Sequence, residues 1–121
     1  MPVKYEDLSP QIQNQLQQLQ QFQQQLEIVA QQRQQIEIKL RDIENALEEL
    51  EKTDKDATVF KNVGPLLIKS DAKDVTKELQ DSKESLEVRK KSMENQEQKL
   101  KEKVEELQLK IQNALSSPQA G

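Results

Sequence analysis

The sequence contains no cysteine, no histidine and no tryptophan. Without cysteine there is no disulfide, no thiolate metal site and no thiol nucleophile. Without histidine the chain lacks the commonest general base and the commonest transition-metal ligand. Aromatic residues are 2% of the chain, which is too few for the core that a compact globule of 121 residues normally carries. No apolar run approaches the roughly 18 residues of a membrane span. The opening Met1-Pro2-Val3-Lys4-Tyr5-Glu6-Asp7 lacks the apolar centre of a signal peptide, so a cytoplasmic location and no membrane partner are expected. A formal net charge of −4 argues against nucleic acid as a primary partner.

What is present is a balance: hydrophobic residues make up 33% of the chain and charged residues another 33%. That composition fits disorder, or a thin coiled coil that needs apolar residues on one seam only. Periodicity decides between them. Residues 1–8 read as a short leader, and Ser9-Pro10 is a helix start, with Ser as N-cap and Pro at the first helical position. From there to Lys52 no Gly and no further Pro intervenes. Phe22, Leu26, Val29, Arg33, Ile36, Leu40, Ile43, Leu47 and Leu50 alternate steps of four and three, a heptad seam with one polar member. It runs through a tract with 14 Gln in residues 11–35, and Gln is a sound helix former. Upstream, Ile12, Leu16 and Leu19 keep the alternation, and Leu19 to Phe22 reads as a stammer. The second helix shows Val75, Leu79, Ser82, Leu86, Arg89, Met93, Gln96 and Leu100, then Val104, Leu107, Ile111 and Ala114 after what reads as a stutter.

The middle segment has another character. Thr58 to Val63 and Leu66 to Ser70 are two β-rich runs separated by Gly64-Pro65, which predicts a hairpin with a type II′ turn. An isolated two-stranded ribbon is marginal in water and leaves two edges unpaired. Val59, Phe60, Val63, Leu66, Leu67 and Ile68 are too apolar for a solvated loop, and two thin helices cannot cover both faces. Either hairpins from several chains share a sheet or barrel, or the hairpin folds down on its own helices. The expected fold is therefore mainly α: one domain over 1–121, a long antiparallel two-helix coiled coil joined by one β-hairpin. Its parts are a helix over 9–52, a hairpin assembly module over 58–70, a helix over 71–115 and a tail over 116–121.

Helix, hairpin and helix in this order resemble the beta-type subunits of the prefoldin family over nearly the whole chain. The pieces that carry the likeness run from Phe60-Lys61-Asn62-Val63-Gly64-Pro65-Leu66-Leu67-Ile68-Lys69 through Lys77-Glu78-Leu79 and Glu84-Ser85-Leu86-Glu87-Val88-Arg89 to Asn95-Gln96-Glu97-Gln98-Lys99-Leu100. Pro10-Gln11-Ile12-Gln13-Asn14-Gln15-Leu16 adds to them. One departure is Phe60, where Tyr is commoner; ring packing is kept and a hydroxyl is lost. The resemblance implies a hetero-hexamer with alpha-type subunits and further beta copies, whose hairpins build a double β-barrel. It also implies capture of unfolded client polypeptides without ATP and their delivery to a group II chaperonin.

The residues expected to meet clients lie at the open end of the coil: Leu8, Ile12, Leu16, Leu19 and Phe22 from the first helix, with Val104, Leu107, Leu109, Ile111 and Leu115 from the second. If the termini do not zip fully, these side chains stay partly exposed and can hold unfolded chains by non-directional burial. The plainer alternative is that they finish the coiled coil. The residues expected to drive oligomerisation are Val59, Phe60, Val63, Leu66, Leu67 and Ile68. The competing function is a structural scaffold or tether that does not bind unfolded chains. No catalytic residue, cofactor site or metal site is expected, because the abundant Asp and Glu fall on solvated helix faces.

Overall fold

Ser9 opens the first helix as its place before Pro10 predicts. The Ile12 amide, a donor that a helix start leaves orphaned, donates to Ser9 Oγ at 3.2 Å, and the Gln13 amide makes the first intrahelical bond to the Ser9 carbonyl at 3.0 Å. In the computed structural model, which describes residues 4–116, helix α1 runs over Pro10–Glu51. It closes where Thr53 Oγ1 donates to the Glu49 carbonyl at 2.9 Å. Strands β1 (Thr58–Val63) and β2 (Leu66–Asp71) follow, then helix α2 (Ala72–Ser116). Asp71 ends β2 and caps α2 at once, its Oδ1 accepting the Asp74 amide at 2.7 Å.

The expected leader is corrected in part. Tyr5–Asp7 form a 3-10 turn, and that turn is fastened to α1. Tyr5 Oη donates to the Gln13 carbonyl at 3.2 Å, and Gln13 Nε2 donates to the carbonyls of Tyr5 and Leu8 at 2.9 and 3.1 Å. Residues 1–3 and 117–121, which hold the rest of the expected leader and most of the expected tail, lie outside the described residues.

β1 and β2 pair antiparallel in the register Thr58↔Asp71 through Val63↔Leu66. Gly64 stands at φ +56 in the turn, while among the described residues no other residue type takes a positive φ. Positive φ followed by the fixed negative φ of Pro65 is the signature of type II′, the expected turn.

The chain divides into two compact units. One is the hairpin unit, residues 33–92. Here α1 and α2 run antiparallel: Leu50 lines a groove with Ala72 and Thr76, and Lys39 and Ile43 line another with Ser82 and Leu86. Ile36, Leu40 and Ala72 are its buried core. The other is the terminal unit, comprising residues up to Gln32 and those from Met93 on. It is antiparallel too, with Leu19 lining a groove beside Ile111 and Lys103 Nζ 5.5 Å from the centroid of the Phe22 ring. Its buried core is Ile12, Val29, Val104, Leu107 and Ile111.

Burial corrects the reading of both seams. Ser82, Arg89 and Gln96 are exposed, whereas their neighbours Lys83, Lys90 and Glu97 are half-buried or buried. With those three as members, the α2 seam steps by four and three without a break from Ala72 to Ala114, and the stutter vanishes. On α1, Gln15 takes the seam position between Ile12 and Leu19, Leu16 flanks it, and the stammer vanishes as well. Apolar residues alone could not reveal this. Lys, Glu and Gln carry alkyl stems long enough to sit in a seam while their heads reach outward.

Candidate functional site

Strand geometry sorts the hairpin side chains onto two faces. Side chains alternate along a strand, so Val59, Lys61 and Val63 share one face with Leu66, Ile68 and Ser70. Thr58, Phe60 and Asn62 share the other with Leu67, Lys69 and Asp71. The first face is the helix side, since Lys61 Nζ reaches Glu78 of α2 at 2.9 Å, and Val59 and Ser70 on it are half-buried. The second face is open: Phe60 is 60% exposed and Leu67 66%. These two lie diagonally across the strands, close enough to make one apolar patch. At the turn end Val63 and Leu66 are exposed on the helix-side face as well. Of the six residues expected to drive oligomerisation, only Val59 is half-buried within the chain. The hairpin does not fold down to hide its apolar side chains.

The ten residues expected at the open end separate into three groups. Ile12, Val104, Leu107 and Ile111 are buried in the seam, Ile12 to 3% exposure, so the exposure expected of them is corrected. Their spacing makes them seam members, and a zipped seam hides them. Leu8, Leu16, Leu19 and Phe22 are half-buried. Leu109 and Leu115 stand in solvent at 57% and 50%. Leu115 lines an apolar groove of about 450 Å³ with Leu19, Gln108, Ile111, Gln112 and Ser116. Half-buried and exposed aliphatics thus adjoin a seam that is closed.

Three features escaped the sequence reading. Gln15 Oε1 is shielded and accepts no hydrogen bond; its only sequence signal was a break in the heptad count. The Tyr5 turn had none. The Lys61–Glu78 pair could have been suspected from Lys61 interrupting the alternation of Val59 and Val63. Ile28, Ile38 and Val88 are also exposed on the helices, singly, as surface aliphatics often are. Of two expected helical ion pairs, Glu106–Lys110 forms at 3.3 Å, and Glu87 does not reach Lys91. Among the described residues no cluster of acidic side chains could hold a metal ion, and no helix is long and apolar enough to cross a membrane.

Two long helices joined by an antiparallel two-stranded hairpin with an uncovered apolar face define a coiled-coil class of protein. Comparison with known proteins says which. The sequence profile of prefoldin subunits matches residues 13–117. The prefoldin subunit beta of Archaeoglobus fulgidus is 53% identical over 115 residues, covering 95% of this chain and 98% of that one. That of Methanocella arvoryzae is 62% identical over 77 residues, covering 64% of this chain and 61% of its own. The crystal structure of the prefoldin beta subunit from Thermococcus strain KS-1 superposes with a TM-score of 0.82 at 43% identity, covering 92% of this chain and 97% of that one. The chain belongs to the prefoldin family, on its beta-type branch. Members of that family are chaperone subunits rather than enzymes, and beta subunits form hetero-oligomers with alpha subunits.

Proposed function

We propose that the chain is one subunit of an ATP-independent holdase that works in the cytoplasm. Its hairpins join those of alpha-type subunits and further beta copies into a shared β-barrel, giving a hetero-hexamer. Its terminal unit captures unfolded polypeptides, which the assembly delivers to a group II chaperonin. The observation that carries this reading is the apolar surface that one chain leaves uncovered on the hairpin, where Phe60 and Leu67 have nothing of their own chain to cover them.

For client capture the support is Leu109 and Leu115, exposed beside the groove that Leu19 and Ile111 line. Burying such a side chain is worth about 1–3 kcal/mol. One coil alone therefore binds weakly, and several coils held in one assembly add their contributions by avidity. Ile12, Val104, Leu107 and Ile111 join the client surface only where the seam opens.

That same burial favours a second reading, the scaffold or tether, in which the terminal unit is simply a finished coiled coil. One experiment separates the two. A denatured test protein is diluted into buffer with and without the assembled complex, and its aggregation is followed by light scattering. Suppression near stoichiometric amounts is expected; unchanged aggregation would leave the scaffold reading standing.

A further inference from the structure

Two of the sequence pieces that carry the family likeness, the hairpin from Phe60 to Lys69 and the triplet Lys77-Glu78-Leu79, touch each other in the fold. Lys61 Nζ lies 2.9 and 3.1 Å from the two carboxylate oxygens of Glu78. Strand alternation would place an apolar residue at 61, between Val59 and Val63, on the face turned toward the helices. A lysine stands there instead, with its side chain 32% exposed and its ammonium on α2. At its root the amides of Ala72 and Lys73 donate to the carbonyls of Ala57 and Lys55 at 3.0 and 3.2 Å. Beyond the Asp71 cap, Lys61–Glu78 is the only ion pair or side-chain hydrogen bond joining the hairpin to a helix among the described residues.

We propose that Lys61 and Glu78 form a strut that sets the angle of the hairpin on α2 and so presents the Phe60–Leu67 face for assembly. A two-stranded ribbon fixed only at its root can twist and swing. Root, strand, strut and the first turns of α2 close a triangle, and a closed triangle has one shape. The Lys61 ammonium is a compact charge shared between both Glu78 oxygens, so the pair fixes the separation of strand and helix rather than a bonding plane. Because the pair is partly solvated, salt screens it. The strut therefore makes assembly more salt-sensitive than the apolar face alone would. Lys61 and Glu78 are positioning residues and bear no contact role of their own. This inference rests on the proposed assembly through the hairpin.

The test uses the full chain mixed with an alpha-type subunit. Assembled fraction is read by native mass measurement over a concentration series at low and high salt. Lys61→Met, which keeps the stem, and Glu78→Gln should each raise the concentration of half-assembly several-fold at low salt and little at high salt, with helix content unchanged by circular dichroism. The double exchange Lys61→Glu with Glu78→Lys should restore assembly to within about twofold. Single variants that assemble like the parent would overturn the strut. Single variants that fail while the exchange does not restore assembly would overturn it too, and would assign Lys61 to a contact with a partner chain. Leu67→Asp separates the strut from its premise. If that variant assembles normally, the assembly reading falls and the strut's purpose with it; if it does not assemble while Lys61→Met does, the strut alone is wrong.

Discussion

The hairpin and the terminal unit are both supplied with aliphatic side chains, and they dispose of them in opposite ways. In the terminal unit Ile12, Val29, Val104, Leu107 and Ile111 are buried. In the hairpin Phe60, Val63, Leu66, Leu67 and Ile68 all remain exposed. The difference follows from period. A heptad gathers apolar residues onto one stripe, and one partner helix covers that stripe. A strand with apolar residues at successive positions puts them on both faces, and a ribbon of two strands can lay only one face on its own helices. The uncovered face must find another chain or remain an aggregation hazard. Burial within the chain thus marks what holds the subunit together, and the proposed assembly face is the contiguous apolar surface that such burial leaves over.

The largest effect expected from breaking that contrast is at the hairpin. Leu67→Asp puts a charge into the open face and should abolish assembly, as native mass measurement will read. The helix content of the subunit should be unchanged, because Leu67 covers nothing within its own chain. The mirror experiment is Ile111→Ala in the terminal unit. Emptying a buried seam position costs about 2–4 kcal/mol, so thermal unfolding should begin lower and the amides of residues 104–115 should exchange faster. Assembly through the hairpin should survive. Loss of assembly in this variant, or its retention in Leu67→Asp, would collapse the distinction between the two regions.

Smaller changes sharpen it. Gln15→Leu removes a shielded acceptor that has no donor, which should stabilise the terminal unit by about 1–2 kcal/mol. Slower amide exchange near residues 12–19 checks this. Gly64→Ala tests the hairpin turn. An added Cβ meets nothing within 4 Å, so the whole cost is the positive φ, about 1 kcal/mol. The readout is faster amide exchange in β1 and β2 with helical exchange unchanged.

How much of this was legible in the sequence depends on which side chains carried it. Helix ends were legible because Ser9-Pro10 caps by chemistry, and the hairpin because Gly64-Pro65 permits few turns. The apolar seam members were legible; the polar ones were not. Leu79, Leu86, Met93 and Leu100 recur every seven residues and fit two seams equally well, one through Ser82, Arg89 and Gln96 and the other through Lys83, Lys90 and Glu97. Hydropathy favours neither lysine nor arginine, and only packing chooses. Two supercoil slips were inferred from that ambiguity, and both disappear once Gln15, Lys83, Lys90 and Glu97 are counted. The candidate site was legible as a set of residues and not as a surface. Counting heptads finds Ile12 and Ile111, but whether a seam position is open or closed depends on the opposing helix. The Lys61–Glu78 pair bridges 17 positions, so the break in alternation at Lys61 hints at a polar partner without naming Glu78.

We propose a division of labour in which the hairpin assembles and the terminal unit binds unfolded chains. Its most direct test is the aggregation assay with the assembled complex carrying Leu109→Ser and Leu115→Ser together. Both side chains are at least half exposed, so stability should change by no more than about 0.5 kcal/mol, and native mass should match the parent. The account predicts that such a fully assembled complex needs several-fold more protein to suppress aggregation of a denatured client. Undiminished suppression by an intact assembly would contradict it.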